Sequence, residues 1–177
     1  TLRIPDSALV QGSKSPSRSD EYVLDGIYRY LRERLTPYEA IVLGPGRTIS
    51  YLAGRLGYKK NPSTVDVIIS GFRHEDVNFF EMEELLSGVR RIAVILTPIG
   101  GTSFLLGRGN HQLVPAVRRI DWKRDLIVVG TPDKMEGIRE LIVDLDEPIR
   151  GLPEYLRVIV GYKEEKIVRV KVAQYRT

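Results

Sequence analysis

Three glycine-bearing turns hold most of the chemistry that this 177-residue sequence offers. The first is Gly44-Pro45-Gly46-Arg47-Thr48, between the apolar run Ala40–Leu43 and a helical pattern that reaches about Leu56. Glycines allow a tight turn and a close approach of backbone to ligand. A helix starting at Thr48 would present free N–H groups and a positive dipole end, which suit phosphate. The turn lacks the Gly-Lys-Ser/Thr ending of a Walker loop and the Gly-x-Gly-x-x-Gly spacing of a dinucleotide fingerprint. The alternative is a tight strand-to-helix turn with Thr48 as N-cap. On the functional reading, Gly44, Gly46 and Thr48 contact a ligand.

The second is the stretch Thr97 to Gln112. Its sixteen residues hold four glycines, three hydroxyls, one arginine and two amides. Thr97, Gly100, Gly101, Gly107 and Gly109 supply the turns. Arg108 suits a bidentate hold on phosphate, and Asn110 and Gln112 suit reading a base or ribose. Phe104 and Leu105 anchor the stretch to the core. The alternative is a long surface loop. The third turn is Thr131-Pro132-Asp133-Lys134, where Thr131 either contacts ligand or caps a helix with Pro132 at its first position.

Carboxylates and histidines are harder to place. Asp66 falls within a strand, Asp144 and Asp146 close another, and Asp76 follows a glycine-containing turn. Each is a candidate magnesium ligand or base, and each is equally a cap or an ion-pair partner. His74 reads as exposed loop and His111 as a ligand-side donor. No Ser-His-Asp or paired-carboxylate arrangement emerges, so no catalytic residue is assigned. With no cysteine and two histidines, thiolate chemistry, disulfides and cysteine-ligated zinc are excluded.

The elements that must position these turns follow a repeated plan. Residues 1–19 read as a connecting segment with short strands at Leu2–Ile4 and Ala8–Val10. A single domain over 20–177 begins with a helix from Asp20 to Leu35, on which Val23, Ile27, Leu31 and Leu35 share a face. Pro37 stops it. The apolar runs Ala40–Leu43, Val65–Ser70, Ile92–Leu96 and Leu126–Gly130 each lead into a glycine or threonine turn and then a helical pattern. Those helices are expected to Leu56, near Phe80–Leu86, near Pro115–Ile120 and near Met135–Leu141. Near-continuous apolar strands between helices predict a mainly parallel sheet covered on both faces, a Rossmann-like three-layer α/β fold. Tyr155–Tyr162 and Lys166–Val172 flank Lys163-Glu164-Glu165, which reads as an antiparallel β-hairpin or edge pair at the C-terminus, with exposed edges that a dimer would use. In such sheets ligands sit beyond the C-terminal strand ends.

Composition narrows the class. Apolar residues make up 42% and charged residues 28%, which is globular rather than disordered. No apolar run reaches the ~20 residues of a membrane helix. The net charge of +4 is spread among acids, which favours an anionic small ligand over a nucleic-acid stripe. Scarce asparagine and glutamine beside plentiful arginine point to a thermophilic source. The location expected is cytoplasmic. The chain begins with Thr1 and is read as a fragment or a processed form.

Taken together, the motifs resemble the C-terminal domain of ATP-NAD kinase-like (AcoX-like) proteins of archaeal type. That family carries a Gly-Pro-Gly-x-Thr turn, here Gly44–Thr48. It also carries Thr-Pro-Ile-Gly-Gly running into Gly-Arg-Gly-Asn-x-Gln, here Thr97–Gly101 with Gly107–Gln112. An Ile-Val-Val-x-Thr-Pro segment matches Ile127–Pro132, and a Val-Ile-x-Gly-Tyr ending matches Val158–Tyr162. The order agrees from about Asp20 onward. Two positions depart from the pattern, since the family usually has glutamine where Thr102 and His111 stand. The Gly-Gly-Asp-Gly-Thr motif of NAD kinases belongs to an N-terminal kinase domain and does not occur here. The resemblance implies NAD, with ATP or polyphosphate and magnesium, for a full-length protein that phosphorylates NAD to NADP. It implies a nucleotide-binding role for this piece, with the N-terminal kinase domain as partner and little activity alone. A weaker similarity to sugar-phosphate isomerases of the ribose-5-phosphate type, and a non-catalytic binder of a phosphorylated metabolite, are the alternatives. No nucleic acid or membrane partner is expected, and homo-oligomers are.

Overall fold

In the strand Ile92–Leu96, Ile92, Val94 and Leu96 enter one apolar cluster while Ala93 and Ile95 enter another. This two-sided burial follows from the period of two along a strand. It explains why the run reads as continuously apolar. The computed structural model describes residues 18–107, 109–146 and 148–173. The expected strands at Leu2–Ile4 and Ala8–Val10 therefore lie outside the described residues.

The elements in chain order are α1 (Arg18–Leu35), β1 (Ala40–Leu43), α2 (Arg47–Arg55), β2 (Asp66–Ile69), β3 (Phe72–His74), α3 (Phe79–Leu86), β4 (Ile92–Leu96) and β5 (Phe104–Gly107). After a 3-10 turn at His111–Leu113 come α4 (Val114–Val117), α5 (Trp122–Asp125), β6 (Leu126–Val129), α6 (Pro132–Glu136), β7 (Glu140–Asp144), β8 (Tyr155–Gly161) and β9 (Glu164–Val172). The nine strands form one sheet in the order β3-β2-β1-β4-β6-β8-β9-β7-β5. Strands β1, β4, β6 and β8 run parallel, as do β9, β7 and β5. The fold is thus α/β with a largely parallel mixed sheet flanked by helices.

Helix α1 forms as its sequence directs. Leu24, Ile27, Leu31 and Leu35 are buried, Asp20 and Glu21 occupy the first turn, and Arg32 and Arg34 the last. It packs with Ile49, Leu52 and Ala53 of α2 on one face of the sheet. Met82 and Leu86 of α3, Ala116 and Val117 of α4, and Trp122 cover the other. Helix α3 begins with a capping box, in which Asn78 and Glu81 exchange side-chain-to-backbone bonds.

Four expectations are corrected. The run Val65–Ser70 leads first into an unexpected strand, β3, and only then into the expected helix, α3. Ser70 and Gly71, with φ of 48° and 84°, form a hairpin turn that pairs β2 antiparallel with β3, and β2 also runs antiparallel to β1. Part of the stretch after β4 is the strand β5 rather than loop, paired with β7. The helix expected to Leu141 stops at Glu136, and Glu140–Asp144 is strand β7, where Leu141 and Val143 alternate inward. Finally, β8 and β9 pair antiparallel about the turn Tyr162-Lys163, but they are central rather than an edge, so they offer no open edge to a dimer.

The sheet curls strongly. In a flat sheet, five inter-strand steps of about 4.8 Å would put β4 and β5 about 24 Å apart. Yet the N–H of Ile99, three residues beyond β4, bonds to the carbonyl of Phe104, which opens β5, at 2.8 Å. Three residues reach at most about 10 Å. The β9-β7-β5 wing therefore folds over the α3 face, and Leu105, Leu106, Leu141 and Val143 share one cluster with Val94 and Leu96.

Candidate functional site

Three adjacent parallel strands, β1, β4 and β6, end side by side, and each is followed by one of the turns singled out in the sequence. Their turns meet at a cavity of about 620 Å³ lined by Gly46, Arg47, Thr48, Pro62, Gly100, Gly101 and Lys134. This is the carboxyl end of the sheet, where open α/β folds place their ligands.

Gly46 controls the entry to α2. Its φ is 121°, and a Cβ there would lie 2.7 Å from Cγ2 of the buried Thr97. Only glycine fits on both counts. Gly46 also serves as N-cap, with no side-chain capping bond, so Thr48 is not the cap that the sequence suggested. Thr48 lies inside the first turn. That turn holds no acidic residue, and an α-helix leaves its first N–H groups without intrahelical acceptors. An anion at this point gains both those donors and the dipole.

Gly100 and Gly101, with φ of 23° and 64°, form the rim contributed by the β4 turn. Thr102 braces it: its N–H reaches the carbonyl of Ile99 at 2.9 Å, and its hydroxyl accepts from the N–H of Phe104 at 3.2 Å. The β6 turn supplies a cation. Thr131 caps α6 by accepting from the N–H of Lys134 at 3.3 Å, which fixes the start of that short helix. The Lys134 ammonium then reaches the hydroxyl of Thr97 at 3.4 Å. Burial, and secondly the charge of Arg47, lower the pKa of Lys134. Two cations that disfavour each other across a cavity are both favoured by an anion placed between them.

The predicted residues thus divide. Gly46, Thr48, Gly100 and Gly101 line the cavity, Thr97 and Thr131 bond to the lining residue Lys134, and Gly44 is tied to β4 by its N–H to the Ile95 carbonyl at 3.0 Å. Gly107, Gly109, Asn110 and Gln112 lie at the other end of β5, where the chain enters the 3-10 turn against α3. There His111 stacks on Phe79, with ring centroids 6.5 Å apart. Arg108 lies outside the described residues. The sequence reading did not single out Arg47, Pro62 or Lys134. Arg47 and Lys134 sat within the highlighted turns and were legible as cations. Pro62 carried no signal, because its place depends on a tertiary bond from the N–H of Gly46 to its carbonyl at 2.7 Å.

The lining holds no carboxylate or imidazole. Among the described residues, no three histidine, aspartate or glutamate side chains gather as a metal site. Asp66 is buried but occupied, accepting from the Thr64 hydroxyl at 2.8 Å and the Asp76 N–H at 3.1 Å. These residues do not fit a protein-held magnesium. A larger open groove of about 670 Å³, bordered by Tyr30, Trp122, Tyr155 and Ile167, lies toward the opposite ends of β6 and β8 and gathers none of the turns.

Residues 39–170 match the family model described as the ATP-NAD kinase C-terminal domain. The chain belongs to that family. The match spans β1 through most of β9 and includes every residue lining the cavity, while α1 precedes it. Comparisons of this ATP-NAD kinase C-terminal domain with curated proteins and with solved structures gave no match. No helix among the described residues is long and apolar enough to cross a membrane.

Proposed function

We propose that the cavity between the β1, β4 and β6 turns binds the pyrophosphate of NAD, in a protein of archaeal type that transfers a phosphoryl group from ATP or polyphosphate to NAD. The observation that carries this reading is the meeting of the α2 N-terminus, Arg47 and Lys134 on one cavity in a chain of this family. Phosphoryl transfer asks mainly for positioning and for neutralisation of charge. The backbone around Gly46 orients the ligand, while Lys134 and Arg47 balance its charge. With no carboxylate or imidazole in the lining, this domain contributes binding and electrostatics rather than proton transfer. A cytoplasmic setting, with the catalytic motif on a further domain, completes the reading.

The test is isothermal titration of the chain with NAD, inorganic pyrophosphate and ribose 5-phosphate. NAD and pyrophosphate are expected to bind. Lys134→Met removes one charge-assisted contact, so it weakens both by roughly 10- to 100-fold. Binding of ribose 5-phosphate without NAD would instead favour a sugar-phosphate site and overturn the proposal.

A further inference from the structure

Lys60 is 6% exposed, an unusual place for a lysine. Its ammonium donates to two backbone carbonyls, of Asn61 at 2.9 Å and Thr64 at 2.5 Å. The segment is tightened further by the Asn61 side chain, which accepts from the N–H of Ser63 at 2.8 Å, and by the Thr64 N–H, which donates to the Asn61 carbonyl at 3.4 Å. Between the two anchoring carbonyls stands Pro62, whose own carbonyl holds the N–H of Gly46 at 2.7 Å. An unbroken set of bonds therefore runs from the ammonium through the Lys60–Thr64 loop to the N-cap of α2. Burying a charge on carbonyls alone is costly where an apolar residue would fill the space. Here that charge sets the geometry of a turn at the cavity.

We propose that Lys60 is a positioning residue for the anion site: its charged ammonium holds the Lys60–Thr64 loop, and through Pro62 the Gly46 turn, in the shape that receives phosphate. The proposal rests on the reading of the cavity as an anion site. Lys60 touches no ligand and acts through the loop. The consequence is an affinity that falls as Lys60 loses its proton. Burial pushes its pKa down to about 8, against a smaller opposing pull from Asp66 on β2. From β3, Arg73 donates to the carbonyl of Lys59 and pairs with Glu75 at 3.3 Å. Lys134 and Arg47 lie across the cavity, and Lys134 also titrates below its ordinary value.

The experiment follows the Gly46 amide and the Lys60 side chain by NMR from pH 6.5 to 9.5 in the 177-residue chain. Lys60→Met and Lys134→Met are measured alongside, and pyrophosphate titrations are run at each pH. The Gly46 amide shift should move with the same midpoint as the Lys60 side-chain signal. That movement should persist in Lys134→Met and vanish in Lys60→Met. Pyrophosphate affinity should fall about tenfold across the same midpoint in the wild-type chain, a difference of about 1.4 kcal/mol. In Lys60→Met it should be weak and show no step at that midpoint. Unequal midpoints for Gly46 and Lys60 in the wild-type chain alone overturn the proposal, even if Lys60→Met fails to fold. So does a Gly46 midpoint that disappears in Lys134→Met. If Gly46 follows Lys60 while neither pyrophosphate nor NAD binds at any pH, the anion-site reading falls and the hold of Lys60 on the turn stands.

Discussion

Charged residues on this molecule fall into two groups that differ in what they do for stability. Asp25, with Arg29 at 3.4 Å and Arg55 at 2.8 Å, forms an exposed cluster of the kind that contributes little. Lys60 is different, because the fold buries it. Its pKa drops from 10.5 to about 8. Between those values the unfolded chain binds more protons than the folded one. Stability therefore rises with pH through that window, by up to about 1.4 kcal/mol per pH unit. The same rise is absent from Lys60→Met. Denaturant unfolding of both proteins at pH 7.5 and 9.5 checks this: the stability of the wild-type chain relative to Lys60→Met should increase by about 2 kcal/mol. A constant difference would mean that the lysine is not buried as a cation. Nothing in the sequence around Lys60 marks it, since Lys59-Lys60 reads as an ordinary solvated pair. Thr131, by contrast, was legible as either cap or ligand contact, and its bond from the Lys134 N–H makes it a cap.

At the scale of elements, β5 and β7 illustrate how a tertiary pairing overrides a local pattern. Phe104-Leu105-Leu106-Gly107 is too short and too rich in glycine nearby to announce a strand. It becomes one because Leu105 and Leu106 bury against the core while β7 supplies a parallel partner. Gly107 closes that ladder with φ 111°, and a Cβ there would stand 2.0 Å from the Asp144 carbonyl oxygen. Gly107→Ala must separate the two strands or distort the chain. A loss of stability on the order of 3 kcal/mol is expected in a urea melt, combining backbone strain with overpacking. A loss below about 0.5 kcal/mol, the range of ordinary surface changes, would show that the β5–β7 contact yields freely. In α1, sequence and structure agree because local preference and tertiary burial point the same way. Its apolar spacing, acidic first turn and basic last turn are all consistent with one helix.

For the molecule as a whole, the curled sheet joins two parallel wings through the antiparallel pair β8–β9. One apolar cluster includes residues of both wings together with α3, α4 and Trp122. No division into separately stable halves is built into such a core. The single tryptophan reports directly on it: Trp122 is 2% exposed, and its indole N–H donates to the Val117 carbonyl at 2.9 Å. Tryptophan fluorescence and far-ultraviolet circular dichroism should therefore give coincident unfolding transitions. Two separated midpoints would show that the wings unfold independently and that the shared core does not couple them.

The sequence by itself determined the local features: α1 and its buried stripe, the doubly buried strands β1, β4 and β6, and the glycine turns at their ends. Helical and strand periodicities, and the conformational freedom of glycine, are written in neighbouring residues, so they can be read without knowing the fold. The motif order also sufficed to indicate the family. Only the tertiary structure decided that β2 turns back antiparallel, that β8 and β9 are central, and that the Thr97–Gln112 stretch divides between the cavity and the far end of β5. Only it brought Lys134, Arg47 and Pro62 to one place and buried Lys60 behind them. Strand order and curvature arise from contacts between residues far apart in the chain, and no local pattern encodes which distant partner buries the most apolar surface.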